Sequence, residues 1–280
     1  MASNRLRVRL STDIDFDPIG RLEPSAAKRP QTSKSPTRAR FRLNDPEARA
    51  SAIGQAAPFH AWPRAVLLRL ATASSVSSHR SGTHLIVSGQ HCDMITIPAD
   101  GTLLSSVSSP GGRRVVFKLD DSFYAYGLAP FMDGLTLPHD LVADGSVTVI
   151  RIPYAALRGE LARTPTLWES VAVELNRRGR SVNMQMQQFV FDAPLVRAAS
   201  LLLGLLAKVG KGNERGPVAI EFRLSQERLA ELLGTSRQWA TALVSELSKA
   251  GLVEWRYGRA TVLDVQALRT LAARGIGLMG

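Results

Sequence analysis

Arg237, Gln238 and Thr241 stand just after a three-residue punctuation, Gly234-Thr235-Ser236, in the stretch AELLGTSRQWATALV (Ala230–Val244). An Arg fork fits two acceptors on one guanine edge, Gln both donates to and accepts from adenine, and Ser and Thr hydroxyls serve bases or phosphates. Together these residue types support recognition by hydrogen bonding, and nothing among them resembles bond-making machinery. Arg256 and Arg259, either side of Tyr257-Gly258, add cations suited to phosphates.

Two helices and a hairpin must position them. Ser225 is placed to cap a first helix, with Glu227 in its first turn and Leu229, Leu232 and Leu233 on its apolar face. Gly234 ends it, and Thr235 or Ser236 caps a second helix in which Ala240, Leu243, Val244 and Leu247 form an i, i+3, i+4, i+7 stripe. Arg237, Gln238, Thr241 and Ser245 fall opposite that stripe. LVEWRYGRATVLD (Leu252–Asp264) then predicts two short strands around Tyr257-Gly258. A helix pair followed by a basic hairpin is a winged helix-turn-helix, whose partner is double-stranded DNA. Arg237, Gln238 and Thr241 are the expected base readers; Thr235, Ser236, Ser245, Arg256 and Arg259 are the expected backbone contacts.

The rest of the chain is compatible with that partner. With 280 residues, pI near 10.6 and a formal net charge of +11, it has room for two domains and a bias towards polyanions. One cysteine, Cys92, rules out a disulfide framework and a Cys-x-x-Cys metal pair. No signal peptide is read at the start, and the apolar run Ala198–Val209 is too short for a bilayer, so a cytoplasmic protein without a membrane partner is expected.

Residues 1–55 are expected to be a disordered basic extension, because KRPQTSKSPTRARFR (Lys28–Arg42) is nearly free of aliphatic residues. FHAWPRAVLLRLATAS suggests a short helix. From Thr83 to Pro153 short runs (HLIVS, DMITI, LLSSVSS, RRVVFKL, SVTVIRI) alternate with breaks at Gly89, Ala99-Asp100-Gly101, Pro110-Gly111-Gly112, Asp120-Asp121, Asp133-Gly134 and Asp144-Gly145, which predicts a β domain over 56–160. Over 161–192 a long helix carries Trp168, Val171, Leu175, Val182 and Phe189 on 3,4-type spacings, with Arg178 and Gln185 between them. That face fits either a dimer seam or packing against its own domain. A further helix from Pro194 to Val209 and the loop GKGNERG (Gly210–Gly216) open the DNA-binding domain at 193–280. The fold class is α+β.

LSQERLAELLGTSRQWATALVSELSKAGLVEWRYGRATVLD resembles the winged-helix domain of the Crp/Fnr (cyclic-AMP receptor protein) family of bacterial transcription regulators. The turn spacing of residues 82–134 is similar to that family's cyclic-nucleotide-binding-like β-roll, with the dimerisation helix next. The resemblance implies a homodimer, sequence-specific DNA binding and RNA polymerase as a partner. Ser236 and Arg237 match the family's recognition helix; Gln238 stands where Glu is common, and Ala242 where a second Arg often lies. Trp239 is unusual there and is expected as a partly buried wedge ahead of a base or sugar contact.

The ligand cassette departs further. Aligned on Leu128, Phe131 and Gly134, the family's ribose-holding Glu falls at Gly127, and its Arg-Ser/Thr-Ala segment at Leu137-Pro138-His139. With both polar anchors missing, cyclic AMP bound in the family's usual manner is not expected, since a buried phosphate would lack its cation. No cofactor is expected, though a small-molecule effector of another kind remains open. One cysteine is too few for an iron–sulfur cluster, and His84, His91, Cys92, Asp93 and His139 have no metal-ligand spacing. No nucleophile elbow, P-loop or His-Glu-x-x-His occurs, so an enzyme is not expected. The competing reading is a protein–protein module whose β-roll docks a regulatory partner.

Overall fold

The structure, a computed structural model, describes residues 43–120, 123–211, 216–220 and 224–276, with the backbone alone at 120 and 208–211. Its first helix, α1 (Pro46–Ile53), follows Asp45, whose carboxylate accepts from the Glu47 amide, and has proline at its first position. The expectation of disorder through residue 55 is therefore wrong for 43–55, while residues 1–42 lie outside the described residues. Leu43, Ala50, Ile53 and Ala56 are buried with Phe59 and Trp62, burial enough to order a segment whose neighbours in sequence are basic and polar. Pro63 separates the 3-10 turn Phe59–Ala61 from α2 (Arg64–Ala73).

The β domain is an antiparallel sheet of β1 (Ser75–His79), β2 (His84–Ile86), β3 (Met94–Ser108), β4 (Arg114–Asp120) and β5 (Asp140–Pro153). Its order is β1-β5-β3-β4, with β2 also on β5. Two sequence breaks are corrected here. Ala99-Asp100-Gly101 and Asp144-Gly145 do not end strands: β3 and β5 run through them as a paired ribbon, with register shifts at Pro98/Asp100 and Asp100/Thr102. Gly101 permits this because it sits at φ +83°, where a Cβ would stand 2.3 Å from the Ser146 carbonyl oxygen.

The bent sheet feeds three apolar clusters. Ile95, Ile97, Ile150 and Ile152 pack on α1, α2 and the helices that follow; Leu103, Leu141, Ala143, Val147 and Val149 fill the roll interior; Leu104, Val116 and Leu119 face the C-terminal domain. A short helix, α3 (Leu128–Asp133), lies between β4 and β5.

The long helix is shorter than the sequence suggested. Residues 154–163 form a separate α4 (Tyr154–Arg163), Pro165–Leu167 is a 3-10 turn, and α5 runs from Trp168 to Phe191. Proline at 165 holds Thr164 out of helical geometry (φ −135°, ψ 77°) and breaks the two apart.

Then come α6 (Pro194–Val209), β6 (Gly210–Lys211), β7 (Val218–Ile220), α7 (Gln226–Leu233), α8 (Arg237–Lys249), β8 (Val253–Arg256), β9 (Arg259–Val262) and α9 (Val265–Ala272). Of the expected loop Gly210–Gly216, residues 210–211 instead pair with β7, and 212–215 lie outside the described residues. The α+β class is borne out. Among the described residues no helix is long and apolar enough to cross a membrane.

Candidate nucleic-acid interface

The two-helix unit forms for local reasons. The Ser225 hydroxyl accepts from the Arg228 amide at 3.1 Å and starts α7; Gly234 ends it at φ +63°, with the Thr235 amide donating to the Ala230 carbonyl at 2.9 Å. Of the two possible caps for α8, Ser236 is the one used, its hydroxyl accepting from the Trp239 amide at 3.2 Å. Ala240, Leu243, Val244 and Leu247 are all buried, which fixes the rotation of α8 about its axis.

That rotation leaves Ser236, Arg237, Gln238, Thr241 and Ser245 exposed, with Thr235 half-buried in the turn. Thr241 already has partners: its hydroxyl lies 2.9 Å from the Arg237 carbonyl and 3.0 Å from Gln226 Oε1. Trp239 departs from expectation. It is 59% exposed and belongs to none of the apolar clusters, so it is not a wedge against the scaffold. The stripe that fixes α8 leaves position 239 at its margin, pointing outward.

The wing is a hairpin in which Arg256 pairs with Arg259, and β9 also pairs with β7. Tyr257 and Gly258 turn at φ +52° and +72°, and the Gly258 carbonyl accepts from the Leu224 amide at 2.8 Å, tying the wing to the start of the helix pair. Both arginines are exposed; Arg256 also lies 2.7 Å from Glu254.

Contacts that the sequence reading missed fasten this unit to the rest of the chain. Arg197 of α6 donates to the Leu233 and Phe189 carbonyls, both at 3.0 Å, and its guanidinium lies 4.5 Å from the Phe189 ring centre. Arg113, in the β3–β4 turn, donates to the Gly234 carbonyl. Arg228 pairs with Asp144 of β5 at 2.9 Å, while Leu229 and Ala230 pack with Leu104, Val116 and Leu119. Apart from Arg197 and Phe189, these partners lie tens of residues apart in sequence and leave no periodic signal; the Arg113-Arg114 pair beside Gly111-Gly112 was the one local cue.

The expected dimer face divides in two. Val171 is fully buried in the β-domain core and Trp168 and Leu175 pack against it, so these three do not form a free seam. Glu174 and Arg178 complete this contact. Arg178 donates to Glu174 at 2.5 Å and to the Ala125 carbonyl at 2.8 Å, and lies 3.8 Å from the Tyr124 ring centre. Burial pushes the Glu174 carboxyl up, but hydrogen bonds and charge from Arg177 and Arg178 outweigh it and hold the group below the ordinary carboxylate range. Val182 and Phe189, by contrast, are 63% and 57% exposed, with Met186 and Val190 beside them.

Among the cassette positions, 127 has no room for the acidic residue that the family carries there. Gly127 caps α3 at φ +90°, and a Cβ there would stand 2.8 Å from the Met94 carbonyl oxygen and 2.9 Å from the Tyr154 hydroxyl. That hydroxyl donates to the Gly127 carbonyl at 2.6 Å, and burial pushes its ionisation up strongly, with help from Cys92. Leu128 and Leu137 are buried, Pro138 is exposed, and His139 meets Phe117 edge-on at 5.1 Å. Burial, then Lys118, lower the His139 pKa.

Residues 196–271 match the Crp-like helix-turn-helix domain family. The chain is 22% identical over 187 residues, 67% of its length and 83% of the relative's, to a CRP-like cAMP-activated global transcriptional regulator of Mycobacterium tuberculosis. Its fold is similar to that of FixK2 from Bradyrhizobium japonicum (16% identity, TM-score 0.62), covering 71% of this chain and 96% of that one. It is likewise similar to the c-di-GMP-responsive global regulator CLP of Xanthomonas campestris (19% identity, TM-score 0.61), covering 72% and 99%. With a β-roll, a long helix and a winged helix-turn-helix in that order, the chain shares the fold of these structures, and residues 196–271 carry the Crp-like helix-turn-helix domain.

Proposed function

We propose that this protein is a cytoplasmic, sequence-specific transcription regulator that binds double-stranded DNA as a homodimer and acts on RNA polymerase. The observation that carries this reading is α8: a helix capped by Ser236, locked in rotation by four buried residues, presenting Arg237 and Gln238 beside the cationic wing. The free amides of its first turn and the positive end of its dipole suit a phosphate, which leaves the side chains free for base edges. Arg237 reads guanine, Gln238 reads adenine, Thr235, Ser236 and Ser245 contact the sugar–phosphate backbone, and Arg256 and Arg259 hold phosphates from the wing. Two such helices, one per subunit, enter successive major grooves about 34 Å apart.

Dimerisation through the exposed half of α5 is supported by Val182, Met186, Phe189 and Val190, apolar side chains at helical spacing that are 57–63% exposed in one chain. Control by cyclic AMP in the family's usual manner is not proposed, because Tyr154 and the Met94 carbonyl occupy the space that a side chain at 127 would need. The protein has no enzymatic role in this reading. The test is selection of duplexes from a random library by the purified chain. An enriched, two-half-site sequence supports the reading, and equal binding to all duplexes overturns it.

A further inference from the structure

Four tryptophans occur in the chain, and three are held by their surroundings. Trp62 is 4% exposed and donates to the Ser170 hydroxyl at 2.8 Å. Trp168 stacks on Phe131, and Trp255 packs against the core of the C-terminal domain. Trp239 alone among them projects its indole into solvent. An exposed indole keeps a large apolar surface in water, and burying it on a partner recovers that free energy.

Its position says which partner. At about 100° per residue, Arg237 and Trp239 flank Gln238 on the outward side of the first turn of α8. One turn further on, position 242 is an exposed alanine, so nothing longer than a methyl group covers the indole from that side. The Trp239 amide is fixed by the Ser236 hydroxyl, so the residue is held at the helix end that leads into the groove. The apolar feature on base edges in the major groove is the thymine 5-methyl group, and aromatic and aliphatic side chains are its usual contacts.

We propose that Trp239 is a specificity-determining residue that packs its indole on a thymine methyl in the major groove, beside the base pairs met by Arg237 and Gln238. The proposal rests on the DNA-binding reading above. It gives α8 a third reading position, apolar where the other two are polar, and it makes an adjacent thymine part of each half-site.

The test uses the full chain and the best duplex obtained by random-library selection. Each thymine of that duplex is replaced in turn by uracil, which removes only the methyl group, and affinities are measured at fixed salt. In the unsubstituted protein one thymine per half-site should be methyl-dependent, its loss weakening binding about fourfold, the worth of one buried methyl group. In Trp239→Ala that penalty should vanish and selection for the thymine should fade; Trp239→Phe should retain part of both. Because the side chain is exposed, Trp239→Ala should fold normally, which the melting temperature checks. Insensitivity to every uracil replacement, an unchanged penalty in Trp239→Ala, or equal losses by that variant on selected and random DNA would each overturn the proposal. Selection that succeeds for the unsubstituted protein but is unaltered by Trp239→Ala removes Trp239 alone, whereas failed selection removes the DNA-binding reading itself.

Discussion

Arg228, on the first helix of the helix-turn-helix, forms an ion pair at 2.9 Å with Asp144 of the β-roll, 84 positions earlier in the chain. The two side chains are 19% and 21% exposed, and the pair borders the cluster in which Leu229 meets Leu104, Val116 and Leu119. The DNA-binding unit thus sits against the sheet through a charged contact at the edge of an apolar one. Asp144→Asn should lower stability by about 1 kcal/mol, since Glu231 at 3.2 Å still partners Arg228. Hydrogen exchange should quicken in α7 and the β3–β4 turn. Unchanged exchange there would mean that the apolar contact alone holds the domains together.

Arg237→Ala should cost about 1–3 kcal/mol on the selected site and flatten preference at one position per half-site. Arg259→Ala should weaken all sequences alike and reduce the slope of log affinity against log salt by about one. Competition titrations with selected and random duplexes at several salt concentrations separate the two effects.

Two valines of α5 should give opposite phenotypes. Val171 is fully buried within one chain, so Val171→Ala should destabilise it by about 2 kcal/mol without a specific effect on assembly. Val182 is 63% exposed, so Val182→Glu should leave the β domain intact and convert a dimer to a monomer. Light scattering at micromolar concentration, read beside thermal denaturation, checks both; a chain that is monomeric without substitution would end the two-half-site geometry.

Glu174 links pH to stability. Its folded-state pKa lies below the ordinary value of 4.5, so the stabilisation it supplies is fully present above that value and is lost as pH falls through the lowered one. Glu174→Gln leaves Arg177 and Arg178 without their carboxylate and should cost about 3 kcal/mol at neutral pH. The deficit should shrink below the ordinary carboxylate range, which denaturant titrations at several acidic pH values would show.

Gly127→Glu restores the acidic residue that the family's cassette carries, yet it should not create nucleotide binding. At φ +90°, with a Cβ 2.8 Å from the Met94 carbonyl oxygen, the substitution should destabilise the chain by about 1–3 kcal/mol. Calorimetric titration with cyclic AMP should remain flat, and tight binding by the variant would refute the structural account of this position.

Sequence by itself determined the local units, because their signals lie within a few residues. Ser225, Gly234 and the Ala240-to-Leu247 stripe set the helix pair, and Tyr257-Gly258 set the wing, since caps, helical periodicity and two-residue turns are short-range interactions. Where short-range signals conflicted with distant packing, tertiary structure prevailed. Gly101 reads as a turn, but pairing with β5 carries the strand through it. Residues 43–55 follow a basic stretch, Lys28–Arg42, nearly free of aliphatic residues, yet α1 is held by a core contributed from α2 and the sheet. Val171 and Val182 look alike in sequence, and only the position of the β domain decides that one is buried and the other uncovered. For Trp239, local pattern allowed both a wedge and a free side chain; the four buried residues of α8, fixed by contacts from other helices, decided that it faces outward.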